Sequence, residues 1–473
     1  MRTTNIFLPR YLFIIVLFFL FSCTKENSGP LDTSMEILSL SLKKADGTAF
    51  KADELTVDIQ DKNIKVTVPS GTSLNPLIPV FEIKGVSIKP ASGVPQNFNS
   101  PLIYTVTAEN GSSVQYTVTV VSGPSAVVYF GSSNNQFYAV DAGNGSLIWK
   151  FSGEGSFVYS SATYGNGTLY VGNIDGHVYA IDPVNGTLKW KKKIASTGIE
   201  SDAVFDNGTI YVGTNDDELY ALDARDGQTK WSYKTGGNIS ASPTILNGMV
   251  YFGSSDGRLY ALEAATGKEK WIYQTGAMIN QSGPALVNGV IYVGSRDSYL
   301  YAINASTGAL VWRYFTNGIS LEQSSPTVAN GFVYIGGWYD MSFTSKGSLY
   351  ALNAATGQLV WESLKNTGIS SSPNVADGRI YVTADDGNIH ALDVATGSLI
   401  WQKVIYANSA SPLVYQDNVF VGGGGSRYFY ALNALTGAEK WRFSMPDGIM
   451  ISSPVILKNS DTPQYSGDSG SLH

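Results

Sequence analysis

Side chains able to carry chemistry are few: the 473-residue chain has three histidines and one cysteine. His177 follows Asp175-Gly176, where other copies of an internal repeat carry Arg258 or Asn388, and it reads as an exposed turn residue. His390 stands where the repeat otherwise has tyrosine and reads as a substituted packing position, while His473 is the last residue. These three yield neither a serine–histidine–aspartate arrangement nor a histidine-rich metal site. Asn215-Asp216-Asp217-Glu218 and Asp385-Asp386-Gly387 offer calcium-type oxygens, but the same positions are turns in every copy, so they read as turns. No catalytic residue, metal or cofactor is expected.

Binding is better provided for than catalysis. Tyr159, Glu200, Asp202, Asn238, Gln281, Glu322, Gln323 and Asn408 lie amid serines in the segments that join one repeat to the next. If those segments converge on one face, they make a polar, acidic mouth for a cation, a sugar or a basic peptide, or else a solvated funnel. A second candidate is an insertion, Gly337 to Gly347, that brings Trp338, Tyr339, Met341 and Phe343 into one loop. Apolar rings outside the repeat's packing positions suit a partner anchor or a platform for a sugar face; the plain alternative is a loop folded back on its own blade.

The elements that position these residues follow from the repeat. From Ala126 onward one pattern returns eight times, ending at Trp149, Trp190, Trp231, Trp271, Trp312, Trp361, Trp401 and Trp441, with spacings of 41, 41, 40, 41, 49, 40 and 40. Each period holds four short apolar runs separated by turn signals such as Asn207-Gly208, Asn247-Gly248, Asn288-Gly289 and Asp377-Gly378. Four antiparallel strands per forty-residue period predict an eight-bladed β-propeller over 126–459. The first copy lacks its first strand and the chain ends with a spare one, Ile451 to Leu457, so the two are expected to pair and close the ring. Residues 460–473, rich in serine and glycine, are expected outside it as a tail.

No Trp-Asp pair occurs, and what recurs is Ala-x-Asp/Asn/Glu-x-x-x-Gly-x-x-x-Trp: Ala139, Asp141, Gly145 and Trp149 in one copy, Ala391, Asp393, Gly397 and Trp401 in another. This resembles the tryptophan-docking motif of the PQQ-like propellers, the superfamily of quinoprotein dehydrogenases and of the BamB lipoprotein. The resemblance implies that the eight tryptophans are structural wedges, each costing about 3–5 kcal/mol to remove if fully buried. It also implies that a dehydrogenase would add a cysteine pair, a calcium site and a catalytic aspartate on long insertions. The chain has no second cysteine and near-minimal blades, so a non-catalytic, BamB-like scaffold at the outer membrane is expected. A cell-surface module for glycans or host proteins is the alternative, and a dehydrogenase the least favoured.

Ahead of the repeats, residues 36–122 alternate in the manner of half-buried strands, with proline punctuation and a turn at Glu109-Asn110-Gly111. They predict a small β-sandwich that resembles the immunoglobulin-like modules of bacterial surface lipoproteins, so the whole chain is expected to be all-β. At the start, Arg2 and Arg10 precede an apolar run from Tyr11 to Phe21, too short for a membrane span, which makes 1–22 a signal peptide. Leu20-Phe21-Ser22-Cys23 resembles a lipobox, so Cys23 is the expected lipid attachment site, with 23–35 as anchor and linker. Thr24 follows in place of an aspartate, and Lys25-Glu26 resembles a short signal for the outer face, so the expected location is the outer membrane, on either its periplasmic or its cell-surface side. Removing the leader leaves 29 of the 31 basic residues against 38 acidic ones, a net charge of −9 that gives nucleic acid no footprint. A protein or glycan partner and a monomeric propeller are expected.

Overall fold

The computed structural model describes residues 31–50, 55–69, 72–123, 126–340, 346–407, 409–458 and 463–465. The signal peptide and Cys23 lie outside them, as do Phe343 and Asn408. Among the described residues no helix is long and apolar enough to cross a membrane. Two compact units divide at Ser122 and Gly123.

The first unit is a sandwich of a two-stranded and a five-stranded sheet. Alternation builds it: Ile64, Val66 and Val68 face inward with Val118 and Val120, while Lys65 points to water. The strand Asn63–Val68 runs parallel to Ser113–Ser122, and the turn at Asn110-Gly111 joins two antiparallel strands, Leu102–Thr107 and Ser113–Ser122. Tyr104 packs on Phe81 in this core with no partner for its hydroxyl, and burial pushes the phenol up to about 12.

The second unit holds eight sheets, seven of four strands and one of five. In blade two the strands run Thr163–Gly165, Thr168–Gly172, His177–Ile181 and Leu188–Lys193, in that order from the inner to the outer edge. Two-residue turns join the first strand to the second, and their residues have positive φ: Asn166 and Gly167, Asn207 and Gly208, Asn247 and Gly248. The second and third strands are almost wholly buried, because a neighbouring blade covers each of their faces; the outer strand is half-exposed at the rim.

Ring closure uses both ends of the propeller. Val455–Lys458 pairs antiparallel with Ala126–Gly131, in the register Val455 to Tyr129, Ile456 to Val128 and Leu457 to Val127. This completes blade one as the spare strand led us to expect. One expectation needs correction: residues 463–465, placed with the tail outside the ring, pair with Val455–Lys458 and form a fifth strand at the inner edge of blade one. Pairing satisfies a strand edge that would otherwise offer unpaired backbone groups at the centre.

Candidate functional site

All eight tryptophans do one job. Each indole Nε1 donates to a backbone carbonyl on the next blade: Trp149 to Pro183, Trp190 to Ala224, Trp231 to Ala264, Trp271 to Ala305, Trp312 to Ala354, Trp361 to Val394, Trp401 to Ala434 and Trp441 to Ala142, at 2.9–3.3 Å. A tyrosine of the tryptophan's own blade lies against most of the indoles and donates to the same oxygen, as Tyr170 does to Ala224 at 2.9 Å and Tyr211 to Ala264 at 2.9 Å. Trp149 is buried and the other seven are half-buried, so the cost of removing most of them falls below that of a fully buried indole.

The inter-blade connections and the turns between second and third strands share one face. Gly236 N–H donates to Asp256, Gly276 N–H to Asp297 and Gly368 N–H to Asp385, each bond tying a connection to a turn of the next blade. Asp216 accepts from the backbone and hydroxyl groups of Ser196 and Thr197, which hold its carboxyl down at about 2. The acidic turns therefore spend their oxygens on fold.

Two rows of small residues open each inner strand. The first row caps the second strand: Ser160 accepts from Gly172 N–H, Ser201 from Gly213, Ser282 from Gly294, Ser324 from Gly336 and Ser371 from Thr383, at 3.0–3.2 Å. The second row links blade to blade as a belt. Ser161 N–H donates to Asp202 Oδ1, Asp202 N–H to Ser242 Oγ, Gly283 N–H to Ser325 Oγ, Ser325 N–H to Ser372 Oγ, Ser372 N–H to Ser411 Oγ and Ser453 N–H to Ser161 Oγ. Asp202 thus stands in a serine position of the belt. Burial raises its carboxyl to about 6, against the opposing donors of Ser161 and Ser242.

The other mouth candidates are spread around the face. Tyr159 and Gln281 are exposed, Glu200 and Gln323 half-buried, and Asn238 exposed. Glu322 is buried, with Oε1 3.8 Å from Arg296 Nε and Oε2 without a partner; burial raises its carboxyl and Arg296 opposes that. Its carbonyl accepts from Gln281 and Ser282 N–H, which ties two successive connections together.

In the insertion, Trp338 and Tyr339 are half-buried and their rings meet edge to face at 5.0 Å. Tyr339 O–H donates to Asp385 Oδ2 of blade seven at 2.7 Å, and Lys346 sits 3.1 Å from the same oxygen. The described part of the loop thus docks on the following blade.

His390 behaves as its place in the repeat implies. Tyr260 and Tyr301 donate to Asp256 and Asp297 of their own turns, and buried His390 makes the same contact to Asp386 at 3.0 Å. His177 does not match its reading as an exposed turn residue. It is half-buried, 3.2 Å from Asp175, and close to Glu154 of the preceding connection. The repeat period hid this grouping, because Glu154 and His177 belong to different copies.

Comparison with known proteins gives the family. The family described as "Outer membrane protein assembly factor BamB" matches residues 105–198, 175–344 and 345–470, which is most of the chain. The chain belongs to this BamB family of PQQ-like propellers. The family described as "SGBP, N-terminal" matches residues 47–120. Among solved structures, BamB from Moraxella catarrhalis is 22% identical with a TM-score of 0.53, covering 65% of this chain and 88% of its own. A europium-containing methanol dehydrogenase is 15% identical with a TM-score of 0.55, covering 63% and 81%. A computationally designed protein, Ika8, is 14% identical with a TM-score of 0.51, covering 66% and 96%. No curated protein matches. At these identities the structures share the fold with this BamB-family chain, and that fold serves an assembly factor and a dehydrogenase alike.

Proposed function

We propose that the protein is a non-catalytic, lipid-anchored scaffold at the outer membrane that holds protein partners on the connection face of its propeller. The observation that carries this reading is the BamB-family match across 105–470, on blades whose one long insertion docks on its neighbour through Tyr339. Rigidity supports it: the belt and the tryptophan bonds fix the blades, so loops are presented without a large ordering cost on binding. Glu200, half-buried on this face, adds negative charge that favours a basic partner surface. Anchoring through Cys23 supplies the location. Cross-linking in intact cells followed by affinity purification tests the scaffold, with recovery of a defined outer-membrane partner as the expected result. Turnover of an alcohol or sugar by protein incubated with quinone and calcium would overturn it.

A second reading rests on the SGBP match at 47–120, which points towards glycans at the cell surface. Tyr159 and Tyr406, exposed in two of the connections, are rings of the kind that stack on sugar faces. Protease digestion of the protein on unpermeabilised cells together with binding on a glycan array would favour this reading over the first.

A further inference from the structure

We propose that Glu154, Asp175 and His177 form a zinc site that staples the connection leaving blade one to blade two. Glu154 lies just after the outer strand of blade one, Leu147–Ser152, while Asp175 and His177 sit at the turn that opens His177–Ile181. One ligand atom from each lies within 4.8 Å of the others, the one such triplet among the described residues.

Geometry and chemistry favour zinc. Ligands about 2.0–2.2 Å from a tetrahedral ion stand about 3.3–3.6 Å apart. His177 Nδ1 and Asp175 Oδ1 are already 3.2 Å apart, and a rotation of the exposed Glu154 side chain brings in the third. His177 Nδ1 is closed to solvent and lies in ion-pair range of Asp175 Oδ1 without making a hydrogen bond. A buried polar atom left in that state is costly, and a metal bond would satisfy it. One imidazole with two carboxylates suits zinc, whereas calcium asks for six to eight oxygens.

The surrounding contacts orient the ligands as outer-shell partners do. Tyr179 O–H donates to Asp175 Oδ2 at 2.7 Å, and the His177 N–H to Oδ1 at 2.9 Å, which fixes the carboxylate. Glu154 N–H donates to the Tyr179 hydroxyl, and Asn173 Nδ2 to the Gly155 carbonyl, so the connection is held against the turn before any ion arrives. The seven other copies of the repeat have Gln136, Glu218, Arg258, Tyr299, Ser348, Asn388 and Tyr428 in the place of His177, so the imidazole is peculiar to this junction. Lys191 is the competing cation. Its ammonium pairs with Glu154 Oε1, and its partly exposed chain must swing away when zinc binds.

The test is titration of the full chain, stripped with a chelator, with zinc chloride and separately calcium chloride, read by calorimetry and by thermal unfolding. The expected result is one zinc ion per chain with a rise in Tm. His177→Ala and Glu154→Gln should weaken zinc binding about ten-fold or more. Lys191→Gln should tighten it, a gain that misfolding cannot imitate, and His390→Ala should leave it unchanged. No zinc binding by the wild-type chain, equal binding by His177→Ala, weaker binding by Lys191→Gln, or a preference for calcium would each overturn the proposal.

Discussion

Trp441 Nε1 donates to the carbonyl of Ala142 at 3.2 Å, a bond between residues 299 positions apart that joins blade eight to blade one. It matches in kind the bonds at the other junctions, so the ring is sealed where the chain ends meet by the device used everywhere else. The pairing of Val455–Lys458 with Ala126–Gly131 adds a second closure inside blade one.

Removing the indole at the seal should therefore cost what it costs elsewhere. Trp441→Ala and Trp231→Ala are each expected to lose about 2–3 kcal/mol, below the range for a fully buried aromatic because both are half-exposed. Urea unfolding of the two variants beside the wild type measures this. A loss under about 1 kcal/mol for Trp441→Ala alone would mean that the strand pairing closes the ring without help from the docking motif.

Glycine before each tryptophan docks the turn beneath the previous blade's indole. Gly186 has φ of +73°, and a Cβ there would meet Trp149 Cδ2 at 2.7 Å; Gly167 has φ of +71° with nothing within 4 Å. The pair separates backbone strain from steric conflict. Gly167→Ala should cost about 1 kcal/mol through the left-handed backbone alone, and Gly186→Ala clearly more, since the ring must also shift. Equal losses on chemical unfolding would show that the docking contact has slack.

Spacing and turn chemistry make the blades legible in sequence, since a tryptophan every forty residues with Asn-Gly turns between admits few other folds. The tyrosine that shares the carbonyl with most of the indoles was open to notice, because Tyr170, Tyr211 and Tyr251 recur in register with the tryptophans. The serine belt was not. Its donors and acceptors lie one blade apart, and serine before proline in a loop gives no sign of where its hydroxyl points. Likewise Glu154 and His177 meet only because a connection lies over the next blade's turn, a proximity that reading one copy at a time cannot reveal. The fifth strand at 463–465 escaped for another reason: composition suggested a tail, and pairing overrode composition.

For the insertion, the bond from Tyr339 to Asp385 should couple blades six and seven. A double-mutant cycle of Tyr339→Phe and Asp385→Asn is expected to give a coupling of about 1 kcal/mol, as contacting residues do. Additive losses would detach the loop from blade seven and return its rings to the role of a free anchor.

Asp202 gives the pH dependence. Its carboxyl is raised from 3.8 to about 6 by burial, so the folded protein holds that proton more tightly than the unfolded chain. The sign follows: stability from this group is greatest below the unfolded value, falls as the pH rises from about 4 to about 6, and is flat above. Asp202→Asn keeps an acceptor for Ser161 N–H while removing the charge. The variant should therefore melt above the wild type at pH 7–8 and converge with it near pH 4. Melting curves across that range decide the matter, and a difference that stays constant with pH would mean the carboxylate is solvated well enough to ionise normally within the belt.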